Sequence, residues 1–189
     1  ATVKANMLQP LRSAIYAFKT DFVVATWIAR LKPSELAAAQ RELASESFAN
    51  SSIRDFDDRP LDLKAIDKPL NVVMDLEPRN PDTVTLPGRV LDNSPVGPTL
   101  EKAMTDGRPI ASDPSPLLSK NGPIGIVLAA PVLQEGAVVP AGFVTFSYEL
   151  GPLMLANDDL SLFAVALRDP REASGELIAN DQGVVSERT

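Results

Sequence analysis

The chain contains neither cysteine nor histidine. Without cysteine there is no disulfide framework, a state compatible with any compartment provided that the core suffices. Without histidine the commonest general base and the commonest metal ligand are both missing. No apolar run approaches the roughly 18 residues that a membrane-spanning helix needs, and no signal-peptide pattern is present. An excess of positive charge is also lacking. Against 25 Asp and Glu there are 18 Lys and Arg, a net charge of −7, so the electrostatic footprint of a nucleic-acid partner is absent. The exception is residues 1–48, with six basic and four acidic side chains and a net charge of +2, leaving −9 for residues 49–189. That segment tolerates a membrane surface, whereas the remainder disfavours anionic partners.

What is present is ordinary for a globular chain: 44% hydrophobic and 23% charged residues over 189 positions. This length can bury a core as one large domain or as two small ones sharing a sheet. The chain starts at Ala1 and stops on the polar tail 186–189, and it reads as a piece of something longer.

Residues 2–31 carry Leu8, Leu11, Ile15, Phe18, Phe22 and Ala25 at spacings of 3, 4, 3, 4 and 3. This a/d stripe predicts a long N-terminal helix that either meets a second copy of itself along one stripe and the folded body along the other, or packs as the core helix of a single chain. Pro33 suits the first turn of a second helix, whose apolar face (Leu36, Leu43) carries it to about Ser47. Thirteen of the 17 prolines then fall between Pro60 and Pro140, which limits that region to short elements. Residues 70–76 read as a strand. Ser94-Pro95 reads as the N-cap and first position of a short helix that buries Leu100, Ala103 and Met104 and stops at Gly107. Residues 110–112, 160–167 and 176–179 are further short strands.

Two β-rich runs, residues 124–133 and 138–148, flank Gln134-Glu135-Gly136, the pattern of a hairpin with a longer loop. Gly125, Ala129, Ala130, Ala141 and Gly142 interrupt them. Small residues in strands open a face that another body fills, whether a helix, a second layer or a ligand. Helices followed by short strands give an α+β order.

Catalytic signatures are missing. Asp55, Asp57 and Asp58 lack the alternating spacing of a calcium loop and read as a solvated turn. Ser112, Ser119 and Ser161 stand in no nucleophile motif and have no histidine to activate them. No phosphate-binding glycine loop occurs. The segment is therefore read as not an enzyme, with no cofactor and no metal site.

Taken in order, LNVVMDLEPRN (70–80), SPVGPTLEKAMTDG (94–107), SDPSPLL (112–118), GIVLAAPVLQ (125–134), PAGFVTFSYEL (140–150) and LFAVALRDP (162–170) resemble the CHASE domain. This is the extracytoplasmic ligand-sensing module of receptor-like histidine kinases and nucleotide cyclases. The resemblance covers roughly residues 65–170 and rests on order and spacing rather than on any single piece. It implies an α+β fold: a long N-terminal helix followed by two PAS-like antiparallel-sheet subdomains. The corresponding domains are a helical stalk and second helix (1–64), a membrane-distal sensing subdomain (65–155), and membrane-proximal strands (156–189). Implied ligand contacts are Leu117, Leu118, Ala129, Ala141, Gly142 and Thr145. Relatives carry Gly-aromatic-Asp before the short helix. Here the segment is Gly88-Arg89-Val90-Leu91-Asp92, so Asp92 is a nearby candidate but out of step, and a cytokinin-like contact does not carry over.

The implied function is a small-molecule sensor domain of a transmembrane receptor in the inner membrane. Its ligand is unidentified, it is a homodimer through the N-terminal helix, and spanning helices flank it. The alternative is a periplasmic or secreted binding module without signalling output.

Overall fold

Residues Phe22–Leu31 set the architecture. The computed structural model describes residue 8 and residues 22–45, 52–78, 87–117, 122–150, 166–168 and 177–180. Within them β1 (Phe22–Leu31) is an interior strand, antiparallel on one side to β2 (Leu70–Pro78) and on the other to β6 (Gly142–Glu149). Beyond β6 lies β5 (Ile124–Val132), whose outer edge pairs with the two-residue strands β3 (Ile110–Ala111) and β4 (Ser115–Pro116). The sheet order is β2-β1-β6-β5-β3, with β4 on β5. Two helices accompany it: α1 (Pro33–Ser45) and α2 (Gly97–Asp106). The strands β7 (Ala166–Arg168) and β8 (Leu177–Asn180) pair with each other in a separate two-stranded sheet.

This overturns the expected long N-terminal helix followed by two PAS-like subdomains. Among the described residues the chain is mostly antiparallel sheet with two short helices, and the last ten residues of the expected helix are β1. Residues 1–7 and 9–21 lie outside the described residues. The physical reason is visible in FVVATWIARL. Phe, Val, Thr, Trp and Ile favour the pleated surface, and a strand covered on both faces is a near-continuous apolar run without the alternation that announces a half-buried strand. Phe22 and Ala25 fit a helical stripe only by coincidence of spacing.

Each face of the sheet has its own core. On one face, Trp27, Ala29 and Leu31 of β1, Val72 and Met74 of β2, and Val144, Phe146 and Tyr148 of β6 pack beneath Leu36, Ala39 and Leu43 of α1. Helix α1 begins as its sequence predicts. Pro33 takes the first turn, and the Glu35 carboxylate accepts the Lys32 N–H at 2.8 Å, the return half of a capping box. On the other face, Ile28, Val73, Ala129 and Phe143 meet Leu100 and Ala103 of α2. Gly107 closes α2 at φ 63°, its N–H donating to the Ala103 carbonyl, as its place in the sequence predicts. The helix starts later than expected. Val96 is the N-cap, while Ser94 closes the preceding turn by donating to the Leu91 carbonyl and accepting the Val96 N–H.

Residues 88–91 extend the sheet past β2. The Val73 N–H donates to the Arg89 carbonyl, Gly88 donates to the Val73 carbonyl, and Leu91 donates to the Asn71 carbonyl. Arg54 then bridges to Arg89 on the far side. Because side chains opposite one another share a face, Arg89 and Leu91 join Val73 on the α2 side.

Candidate functional site

The α2-covered face is incompletely filled. Pairing brings Thr26 of β1 opposite Thr145 of β6, and Val24 opposite Ser147. Side chains two apart on a strand point the same way, so Val24, Thr26 and Ile28 line up beside Thr145 and Ser147 as a floor. Helix α2 covers the Ile28 and Phe143 end of that floor but stops short of the Val24 and Ser147 end. A cavity of about 70 Å³ remains there, room for several waters or part of a small organic molecule. Val73, Arg89 and Leu91 form one wall, Pro95 and Val96 at the start of α2 another, and Pro116, Leu117 and Val127 the third, with Phe56 at the rim. The lining is chiefly apolar with a few polar anchors, the usual constitution of a small-molecule pocket. Thr26, Thr145 and Ser147 supply hydroxyls that both donate and accept. All three residues are buried.

Among the described residues, Arg89 is the one charged residue in the wall. Only 8% of the residue is exposed. Its Nη2 donates to both oxygens of Asp58 at 2.8 and 2.7 Å, and its guanidinium lies 5.7 Å from the centre of the Phe56 ring, within cation–π range. Asp58 sits in a turn built by its neighbour: the Asp55 carboxylate accepts the N–H groups of Asp57 and Arg59, both at 2.9 Å. Asp58 itself takes φ 65°, a left-handed conformation that Asp and Asn tolerate better than most residues. Its carboxylate also meets Arg54 Nε at 3.3 Å. The solvated turn expected at 55–58 is thus a turn whose last aspartate reaches back to two buried arginines.

The residues nominated from sequence separate into three groups. Thr145 lies on the cavity floor and Leu117 in its wall. Ala129 pairs with Thr145 across β5 and β6, but it is fully buried against Leu100 and Ala103, beside the cavity rather than in its lining. The other three described residues stand elsewhere. Ala141 fastens the hairpin through its backbone, donating to the Val132 carbonyl and accepting the Arg30 N–H, both at 2.9 Å. Gly142 pairs with Ala29 on the α1 face, where an added Cβ would come 2.6 Å from the Trp27 indole. Asp92 accepts the Asn71 backbone N–H at 2.8 Å and its side-chain amide at 3.0 Å, locking residues 91–92 to the start of β2. Leu118 lies outside the described residues.

Thr26, Ser147 and Arg89 were missed. Ser147 was within reach, because it sits two residues after Thr145 and so shares its face. Thr26 was hidden by the helical reading of β1, and Arg89 by attention to Asp92 in the same segment.

A sheet with hydroxyls on its floor, roofed partly by a short helix and loops, has the make-up of a small-molecule pocket. The chain belongs to the CHASE domain family, whose model matches residues 20–178, and the resemblance seen in the ordered motifs is borne out. The family is one of extracellular sensor modules of signalling receptors, sensory rather than catalytic. No curated protein matches the chain.

Proposed function

We propose that this chain is the ligand-sensing segment of a membrane-anchored receptor, and that a small molecule occupies the cavity over Thr26, Thr145 and Ser147. One observation carries the reading: the floor of the cavity is shared by β1 and β6, and β1 follows directly on the N-terminal segment. A ligand touching Val24, Thr26 and Ile28 bears on the strand that continues toward the N-terminus. It can shift the receptor only if it binds one arrangement of that strand better than another. The output is a histidine kinase or nucleotide cyclase domain beyond the membrane, and two copies of the chain pair through their N-terminal segments. The test is a thermal-shift screen against small metabolites with the wild type and Thr145→Leu. At a hundredfold excess over Kd a ligand stabilises the native state by about 2.7 kcal/mol, roughly 5–10 °C for a chain of this size. Filling the floor with leucine abolishes that shift. A shift that survives in Thr145→Leu rules this cavity out as the binding site.

A further inference from the structure

The cavity floor holds three hydroxyls that the protein itself leaves unused. Thr26, Thr145 and Ser147 are 6%, 3% and 7% exposed and line the cavity. Among the described residues none of these three side chains is hydrogen-bonded to another protein group. That is unusual on two counts. The large majority of buried hydroxyls are hydrogen-bonded, and a threonine directly opposite another on paired strands can bond across to it. A buried hydroxyl without a partner costs stability that a methyl group in its place does not. Three of them on one patch of sheet, open to one cavity, form a surface for recognition.

Their spacing sets what they recognise. Thr26 and Thr145 are direct cross-strand partners, so their Cβ atoms lie about 5 Å apart. Ser147 follows about 7 Å further along β6 on the same face. Each hydroxyl donates one hydrogen bond and accepts others. A facing pair is matched by a group that carries an acceptor and a donor side by side. The acceptor takes the proton of one hydroxyl, and the donor gives its own to the oxygen of the other. Volume limits the size. An apolar cavity of roughly 150 Å³ encloses a benzene ring. The one here, about 70 Å³, encloses roughly three or four heavy atoms by the same measure. From this we infer that the cavity takes the head of a small ligand, a group of that size with donor and acceptor adjacent, as in a primary carboxamide or a vicinal diol. It sits on Thr26 and Thr145 with its apolar side against Val127 and Leu117. The inference rests on the cavity being the ligand site, and it adds the chemistry of the group bound there.

The experiment titrates propionamide, propane-1,2-diol and butan-2-one into the isotopically labelled chain, followed by NMR at the Thr26, Thr145 and Ser147 amides. The three probes are equal in heavy-atom count, but the ketone only accepts. At least one of the first two binds about fivefold more tightly than the ketone, the worth of one added hydrogen bond. Which of them does so separates a carboxamide head from a diol. Thr26→Val and Thr145→Val each bring the preferred probe to parity with the ketone. Both variants also melt higher than the wild type, because each removes an unpaired buried hydroxyl and keeps a branched side chain suited to a strand. A hydroxyl that served the fold would show the reverse. Equal affinities for all three probes, or a lowered melting temperature in either valine variant, overturn the assignment while leaving the cavity as a site. No shift at these amides with any probe, the result for a cavity that holds only water, overturns it as well. Failure of the binding reading itself appears separately, as metabolite shifts that persist in Thr145→Leu.

Discussion

Replacing Gly142 with alanine separates two roles that a strand glycine can have. If the glycine opened space for a ligand, a methyl group would enter that space at little cost to folding. The structure makes it a contact between strands. A Cβ there would lie 2.2 Å from the Ile28 carbonyl oxygen and 2.6 Å from the Trp27 ring. The oxygen is backbone in the adjoining strand, and Trp27 is only 4% exposed, so neither can step aside alone. Relief requires β6 to draw away from β1, which strains the Arg30 to Ala141 bond. Overpacking of this kind costs about 1–3 kcal/mol, and a backbone neighbour places Gly142→Ala at the upper end. The control is Gly107→Ala, where φ is 63° and nothing lies within 4 Å of the added carbon; only the left-handed conformation opposes it, at about 1–2 kcal/mol. Urea unfolding of both variants measures the difference, with an unchanged m-value showing that two-state behaviour holds. A Gly142→Ala variant within about 0.5 kcal/mol of wild type, the range of harmless surface changes, would refute the packing argument.

Two further outcomes follow from the same geometry. Asp92→Ala removes both acceptors of Asn71 and lowers stability by about 1–3 kcal/mol, with ligand affinity unchanged; a loss of affinity at full occupancy of the folded state would return Asp92 to the binding site. Phe143→Ala empties a fully buried position between Ile28 and α2 and costs about 3–5 kcal/mol, read as a drop in melting temperature by calorimetry.

Much of the fold was legible because local chemistry and tertiary role coincide. Pro33 marks the start of α1, Gly107 the end of α2, and the two branched runs around Gly136 the β5–β6 hairpin. Where the two diverged, the reading failed. β1 is buried on both faces, so its apolar residues do not alternate, and their spacing matched a helical stripe instead. Val138 and Val139 look like strand residues, yet they are 93% and 58% exposed in the hairpin loop, because β6 begins only where Gly142 meets Val132. Ser94 has the chemistry of a helix cap but spends it on the turn before. The cavity was legible only in part. Thr145 and Leu117 came from motif position, but a floor made by β1 and β6 depends on pairing residues more than a hundred positions apart, and no local pattern encodes that. Arg89 entered the wall through the 88–91 extension of β2, another non-local pairing.

The account stands most directly on where a ligand sits. A crystal structure of the chain with the metabolite that most raises its melting temperature is predicted to show that molecule on the Thr26 and Thr145 hydroxyls, below Val96 and Leu117 and against Arg89. Density for the molecule elsewhere on the chain, with the cavity closed by the protein's own side chains, would contradict the account.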